Sequence, residues 1–518
     1  MPPSFNLIDE PFLPCLRSDG AASEYGLRDV LTHAHEIAEL RDGSPLVTVA
    51  LHRLLLAVLH RVYDGPAKQA ARVAILTAKR FDVVKVSKYL EHWRDRFGLF
   101  DDKEPFYQSA GFKTAEPSPV NRLAQELARG NNAALFDHTT DDPPPAFTPA
   151  AAARVLIAEQ AYAVGGGKSD TGNSTNAPLV AGAVVLACGD TLFDTLCYNL
   201  TRYDAGQPIP WNGDDKPIWE AARKKKTHEQ SPEPSGYLDY LTWQARSLRL
   251  HPEEVEGRVV VRRVSYAQGR AFAPAGNFFD PMKAYRKDDK LGLLPVRFTE
   301  HKALWRDSSA LFQFAEKDQY RGPTTLQTLG QIPADVLPRT ARYRVSTFGL
   351  CTDKAKVNFW RHEGLPLPLR YLDDARAVEL LQQALALAET VGKEALRWAA
   401  WAAASEILSN HDGSSPDKDR VSKMIDALAP ERRYWCEIER PFRQYMVEFA
   451  SGDKSLSDWF FAVVRPAALD AFETTFGRLG VKWDLKAVTD SRRKLKGFLT
   501  KVQKTHHIET LTPKGSAA

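Results

Sequence analysis

Residues 355–388 read AKVNFWRHEGLPLPLRYLDDARAVELLQQALALA, and two different hydrophobic periods meet inside them. Ahead of the change, Arg342 to Leu350 and Ala355 to His362 are β-like runs around Cys351-Thr352-Asp353-Lys354, which predicts a hairpin with a polar tip. Behind it, Val378, Leu381, Leu385 and Ala388 recur at the 3–4–3 spacing of a helix face. Asp373 and Asp374 supply acceptors for the first-turn amides. The switch falls at Leu365-Pro366-Leu367-Pro368. The expected class is therefore α+β, with a mixed α/β domain over 1–368 and a four-helix-type bundle over 369–518. Helical stretches at about 393–410, 417–428, 431–450, 455–475 and 484–504 fill the second part, punctuated by Gly413-Ser414-Ser415-Pro416 and Gly452-Asp453.

Towards the N-terminus, residues 240–360 favour strands, with Arg258 to Val264 both β-branched and basic. Residues 150–163 are alanine-rich and read as helix. Residues 137–149 contain three consecutive prolines and cannot form a regular element. Leu46 to Val62 is a strongly apolar helix suited to a core; Leu27 to Leu40 reads as a second helix. Asn6 to Pro11 reads as a short strand.

A length of 518 residues accommodates two or three domains. No apolar run approaches the ~20 residues of a membrane span, so no membrane partner is expected. Met1-Pro2-Pro3-Ser4-Phe5 lacks the basic-then-apolar order of a secretory signal. Five scattered cysteines show no zinc spacing and no disulfide framework, which fits a reducing cytoplasm. The net charge of +4 is too small to imply a polyanion partner by itself. Its distribution is more informative: basic clusters lie at 482–504, at Arg223-Lys224-Lys225-Lys226, and through Arg258, Arg262, Arg263, Arg270, Lys283, Arg286, Lys287 and Lys290. Each alone reads as a solvated face; together they point to a phosphate backbone.

Gly165-Gly166-Gly167 is the most informative local feature, because three glycines let backbone approach a neighbour as no side chain would permit. A plain flexible loop is one reading. A nucleotide-hydrolysing phosphate loop is another, since Gly167-Lys168-Ser169 looks like the end of a Walker A motif and Val184-Val185-Leu186 before Asp190 weakly imitates its partner strand. Against it, Tyr162 stands where the motif needs glycine and the preceding stretch reads as helix. His138 with Asp141 and Asp142, and His506-His507, are the best metal candidates, but neither has a rigid scaffold. No serine or cysteine sits in a nucleophile setting, so no enzyme, metal or cofactor is expected. Trp211, Trp219 and Trp243 lie near basic segments, as base-stacking residues do, whereas Trp93, Trp398 and Trp401 read as core.

Asn6-Leu7-Ile8-Asp9-Glu10-Pro11-Phe12-Leu13-Pro14 resembles the N-terminal signature of the CasA-type large subunit of the type I-E CRISPR surveillance complex, Cascade. Leu27 to Leu31, His35-Glu36-Ile37 and Ser44-Pro45-Leu46 continue that resemblance. Asn131, Asn132 and Phe136 resemble the family's loop that touches guide RNA and the neighbouring backbone subunit. Gly165 to Gly167 and Lys168 fall at its glycine loop, and Asp353, Lys354, Ala355 and Lys356, followed by Arg361-His362, at its wedge.

The resemblance implies a non-catalytic subunit that reads a protospacer-adjacent motif (PAM) on duplex DNA from the minor groove and starts strand separation. A basic loop at Arg286, Lys287 or Lys290 would add groove or phosphate contacts, without a choice among the three. Lys354 stands where the family often has glutamine. The implied partners are double-stranded target DNA, the guide-RNA-bearing backbone and small subunits, and a separate helicase-nuclease. No zinc is expected, because the cysteine-rich insertion of some relatives is missing. A pure assembly scaffold whose basic patches meet only RNA or protein remains open beside the DNA-binding and nucleotide-hydrolysing readings.

Overall fold

The computed structural model describes residues 3–66, 68–127, 143–166, 168–169, 172–204, 208–209, 214–221, 232–274, 278–313, 320–339, 343–353, 355–409, 415–477 and 482–508. The chain is a mixture of helices and small sheets followed by a helical C-terminal region. It divides into two compact units, Met1–Leu365 and Pro366–Ala518, so the break falls inside the Leu365–Pro368 run.

In the first unit the apolar helix Pro45–Val62 is the central rod. Ser44 caps it by accepting from the Val47 amide, with proline in the first turn. It is apolar enough to pass for a membrane span, with a mean hydropathy of 1.4, yet 83% of it is buried inside the protein. The first unit also holds short three-stranded sheets. One orders Ala22–Tyr25, Leu13–Arg17 and Ile37–Leu40; another orders Ser118–Pro119, Arg258–Gln268 and Arg246–Val255. A third joins the hairpin Tyr343–Asp353 and Lys356–Leu367 to the buried strand Val184–Cys188. A fourth orders Gly292–Pro295, Tyr285–Asp288 and Tyr320–Arg321.

The expected strand at Asn6–Pro11 is instead a turn. Asn6 makes one isolated bridge to Gly98, and its Oδ1 accepts from the Ile8 amide, which curls the backbone before the true strand begins at Leu13. The expected helix at Leu27–Leu40 stops at Thr32. The Thr32 hydroxyl donates to the Arg28 carbonyl, and the chain turns into the strand Ile37–Leu40.

In the second unit, every described regular element from Leu369 onward is helical. Asp374 caps Ala375–Thr390 through the Arg376 and Ala377 amides. That helix continues through a π-helical turn, Val391–Leu396, into Arg397–Ile407. Lys418–Leu428, Pro430–Ser451, the run Leu456–Phe476 (again through a π turn) and Lys482–Thr505 complete the unit. Trp459 is its anchor: it is fully buried, donates its indole N–H to the Ala384 carbonyl and packs on Phe442, Tyr445 and Phe449.

Candidate nucleic-acid interface

The helix Pro149–Tyr162 ends on a fully buried Tyr162 and releases the chain into the glycine segment. Beyond it, Lys168–Ser169 pairs antiparallel with Gly172–Asn173, so the chain leaving Gly165 and the chain arriving at Asn176 form the neck of a hairpin. The neck is bonded across: the Gly165 amide donates to Asn176 Oδ1 (2.6 Å) and the Gly166 amide to the Ser174 carbonyl (3.0 Å). Below it, the amides of Ala177 and Leu179 donate to the carbonyls of Ala163 and Ala161. Side chains are excluded here for physical reasons. A Cβ on Gly165 would lie 2.8 Å from the Asn176 nitrogen. Gly166 adopts φ +126°, outside the range of L side chains, and a Cβ on it would meet the Ala355 Cβ at 2.5 Å. The glycine segment therefore touches the tip of the 343–367 hairpin. Gly166, Asp353, Ala355 and Lys356 are all exposed at that junction. Gly167, Lys354 and the side chain of Lys168 lie outside the described residues, as do Asn131, Asn132 and Phe136.

The basic loop is also a hairpin. Tyr285–Asp288 pairs with Gly292–Pro295, and Asp288 Oδ1 accepts from the amides of Lys290 and Leu291, which stiffens the tip. Lys287 and Lys290 are exposed, whereas Arg286 shares Asp307 with Lys302. The base of this hairpin docks on the segment leaving the glycine loop, with the Ala183 amide donating to the Val296 carbonyl (2.8 Å).

A model of the family described as CRISPR-associated protein Cse1 matches residues 6–481. The chain belongs to the Cse1 family. The CasA/Cse1 protein of Thermus thermophilus is 35% identical over 487 residues, covering 92% of this chain and 93% of that protein. A solved structure of Thermus thermophilus CasA (Cse1) superimposes with a TM-score of 0.81 at 31% identity, over 96% of this chain and 99% of that one. A chain in a solved assembly described as a CRISPR RNA-guided surveillance complex, pre-nicking, matches with a TM-score of 0.68 at 25% identity, over 95% and 99% of the two chains.

Several sequence expectations for this Cse1-family chain are corrected by burial. Trp219 and Trp243 are 3% and 2% exposed and cannot stack bases; the Trp219 indole donates to the Tyr89 hydroxyl, and Trp243 lies under the Arg270 guanidinium at 3.6 Å. Conversely Trp398, expected in the core, is 60% exposed. Arg270 and Lys283 leave the basic cluster: Arg270 is paired with Asp239, and Lys283 donates to the carbonyls of Pro178 and Ala181, where burial pushes its ammonium down to about 8. Arg361 is engaged by Glu363 and the Phe359 ring, and His362 stacks on Phe348. The Walker reading fails on order. A phosphate loop needs strand, loop, then helix, whereas here a helix runs into a loop that closes as a β-hairpin.

The long last helix is amphipathic, with the described basic residues of the 482–504 cluster on its exposed face. Ala487, Ser491, Leu495, Leu499 and Val502 form its buried stripe, while Lys486, Arg492, Arg493, Lys494, Lys496, Lys501 and Lys504 are exposed. Sequence reasoning missed Arg246, Gln268 and Asn176, which bond to the glycine segment and its neck. No local pattern singles them out, since each is a polar residue inside an otherwise ordinary strand or loop.

Proposed function

We propose that this chain is the large, non-catalytic, DNA-recognising subunit of a CRISPR RNA-guided surveillance complex. It reads a PAM from the minor groove and begins strand separation. The carrying observation is the contact between Gly166 and Ala355, which sets a bare backbone turn beside a polar hairpin tip at the surface. The minor groove is narrow and its donor–acceptor code is degenerate. Backbone of the glycine segment Gly165–Gly167 enters it without side-chain bulk, and such contacts discriminate weakly, so several related PAM sequences are accepted. Lys168 and the exposed Lys287 and Lys290 add phosphate or groove contacts.

Asp353, Lys354, Ala355 and Lys356 then occupy the space of the first base pair beyond the PAM. Unpairing costs a few kcal/mol per step, and guide–target pairing offsets it in a nearly balanced exchange. Lysine at 354 and 356 suits capture of the displaced phosphate. Asn131, Asn132 and Phe136 contact the guide RNA and the backbone subunit. The basic face of the last helix holds DNA beside the small subunits, and a separate helicase-nuclease does the cutting.

The test is reconstitution of the guide-RNA complex with and without this chain, followed by gel shifts on PAM-bearing and PAM-less duplexes. Binding that requires the chain and the PAM supports the reading. Equal binding to both duplexes reduces the chain to an assembly scaffold.

A further inference from the structure

Arg246 lies behind the glycine hairpin and is 2% exposed. Its Nη2 donates to the Val164 carbonyl (3.1 Å), the last residue before the glycines. Its Nη1 donates to Gln268 Oε1 (3.2 Å), directly across the strand pair Arg246–Val255 and Arg258–Gln268. That same Gln268 oxygen accepts the Thr175 amide (2.9 Å), on the returning arm of the hairpin. Both arms of the neck are thus held by one guanidinium and one amide. The third donor, Nε, goes to the Tyr266 hydroxyl (2.7 Å), which lies within 2.7 Å of Glu159 Oε1. A guanidinium only donates and a carboxylate only accepts, so the hydroxyl proton must point at Glu159 and the tyrosine relays between the two charges. Glu159 is fully buried on the helix that feeds the glycine loop, and its other oxygen accepts from Gln125 (2.6 Å). Gln160, next on that helix, brackets the Arg246 backbone, accepting from its amide and donating to its carbonyl.

Three consecutive glycines have no side chains of their own with which to fix their direction, and each free glycine carries a large backbone entropy. A loop that reads a groove through its backbone must nevertheless present its amides in one orientation. That rigidity has to come from outside the loop. We infer that Arg246 is a positioning residue for DNA recognition: through Val164 and Gln268 it sets the width and tilt of the glycine-hairpin neck. This rests on the reading of Gly165–Gly167 as a DNA-contacting loop. A buried network that merely held the fold would lower every activity together. A positioning network acts on the step that uses the loop and spares steps that do not.

The experiment uses the full chain reconstituted into the guide-RNA complex, with two probes: a PAM-bearing duplex and a single-stranded target. Arg246→Lys keeps the charge but cannot reach Val164, Gln268 and Tyr266 together. It is expected to weaken duplex binding about tenfold, the loss of a charge-assisted hydrogen bond, while single-strand binding stays within about twofold. Tyr266→Phe, which keeps the ring and severs the relay to Glu159, is expected to give the same split at about threefold. Hydrogen exchange at the Gly165 and Gly166 amides accelerates in both variants. Gly166→Val is the reference arm. If it leaves PAM-dependent binding intact, the glycine-loop reading beneath the inference is lost. If Gly166→Val abolishes that binding while Arg246→Lys and Tyr266→Phe retain it, the positioning role is overturned and the loop reading survives. Parallel losses on duplex and single strand in the Tyr266→Phe protein, or unfolding of both variants, reduce Arg246 to a fold-holding residue and overturn the inference as well.

Discussion

Gly166 and Ala355, far apart in sequence, are in direct contact: a Cβ built on the glycine would lie 2.5 Å from the Cβ of the alanine. The contact sets the backbone of the glycine segment beside the end of the Tyr343–Asp353 and Lys356–Leu367 hairpin.

Gly166→Val tests the junction from the loop side. The substitution combines a forbidden φ with a steric overlap, and strain of about 1–3 kcal/mol stays local because both residues are at the surface. PAM-dependent binding of the reconstituted complex is expected to vanish in gel shifts, while the variant still unfolds cooperatively by calorimetry. Retained binding contradicts the loop assignment.

The hairpin side is tested by charge reversal at Lys354 and Lys356. If the tip captures a displaced phosphate, Lys354→Glu and Lys356→Glu slow R-loop formation by roughly tenfold at low salt and leave the initial encounter almost unchanged. Stopped-flow fluorescence with a label beside the PAM separates the two phases. Equal slowing of both contradicts a wedge role.

Glu220 is a structural hub whose loss is expected to destabilise the first unit without any specific effect on DNA. Its carboxylate, 3% exposed, accepts from Arg61 Nε and Nη2 at 2.8 and 2.7 Å and from the Tyr89 hydroxyl at 2.6 Å. Glu220→Ala strands a half-buried guanidinium, at a cost of about 3–5 kcal/mol. Urea denaturation monitored by Trp219 fluorescence measures it; a cost below about 1 kcal/mol is incompatible with the pairing.

His60 makes the first unit acid-sensitive. It is fully buried between Tyr203 and Tyr237, and burial, with the nearby Arg72, lowers its imidazole to about 3. The unfolded chain takes up its proton near pH 6.5 and the folded one near 3, so stability is complete above 6.5 and falls as pH drops between those values. The contribution is on the order of 4 kcal/mol. His60→Leu is expected to flatten the decline in urea midpoint between pH 7 and pH 4 relative to the parent; an identical slope removes the assignment.

Trp398 and Trp459 are expected to differ sharply in weight, although the sequence had placed Trp398 in the core. Trp398→Ala, at an exposed position, shifts stability by about 0.5 kcal/mol or less, whereas Trp459→Ala empties the anchor of the helical unit at about 3–5 kcal/mol. Thermal melts of the two variants check the contrast.

Features with a local cause were legible beforehand. The apolar run at Leu46–Val62 became the core rod, and Asp374 became a helix cap. The two β-like runs became the paired strands Tyr343–Asp353 and Lys356–Leu367, the first extending through Cys351, Thr352 and Asp353, which the sequence had placed in the turn. The short N-terminal elements were misread because side chains there compete with the backbone: Asn6 and Thr32 bend a chain whose hydrophobic pattern would have continued.

The amino-acid order alone determined the helix and strand periods, the change of character at Leu365–Pro368, and a run of three glycines. Tertiary structure decided which polar residues serve the surface and which serve the interior. Arg270, Lys283, Trp219 and Trp243 were drawn inward by partners distant in sequence, and Arg246 was placed behind the glycine neck. The reason is that periodicity is written in neighbours a few residues apart, whereas burial and the meeting of Gly166 with Ala355 depend on contacts across well over a hundred residues.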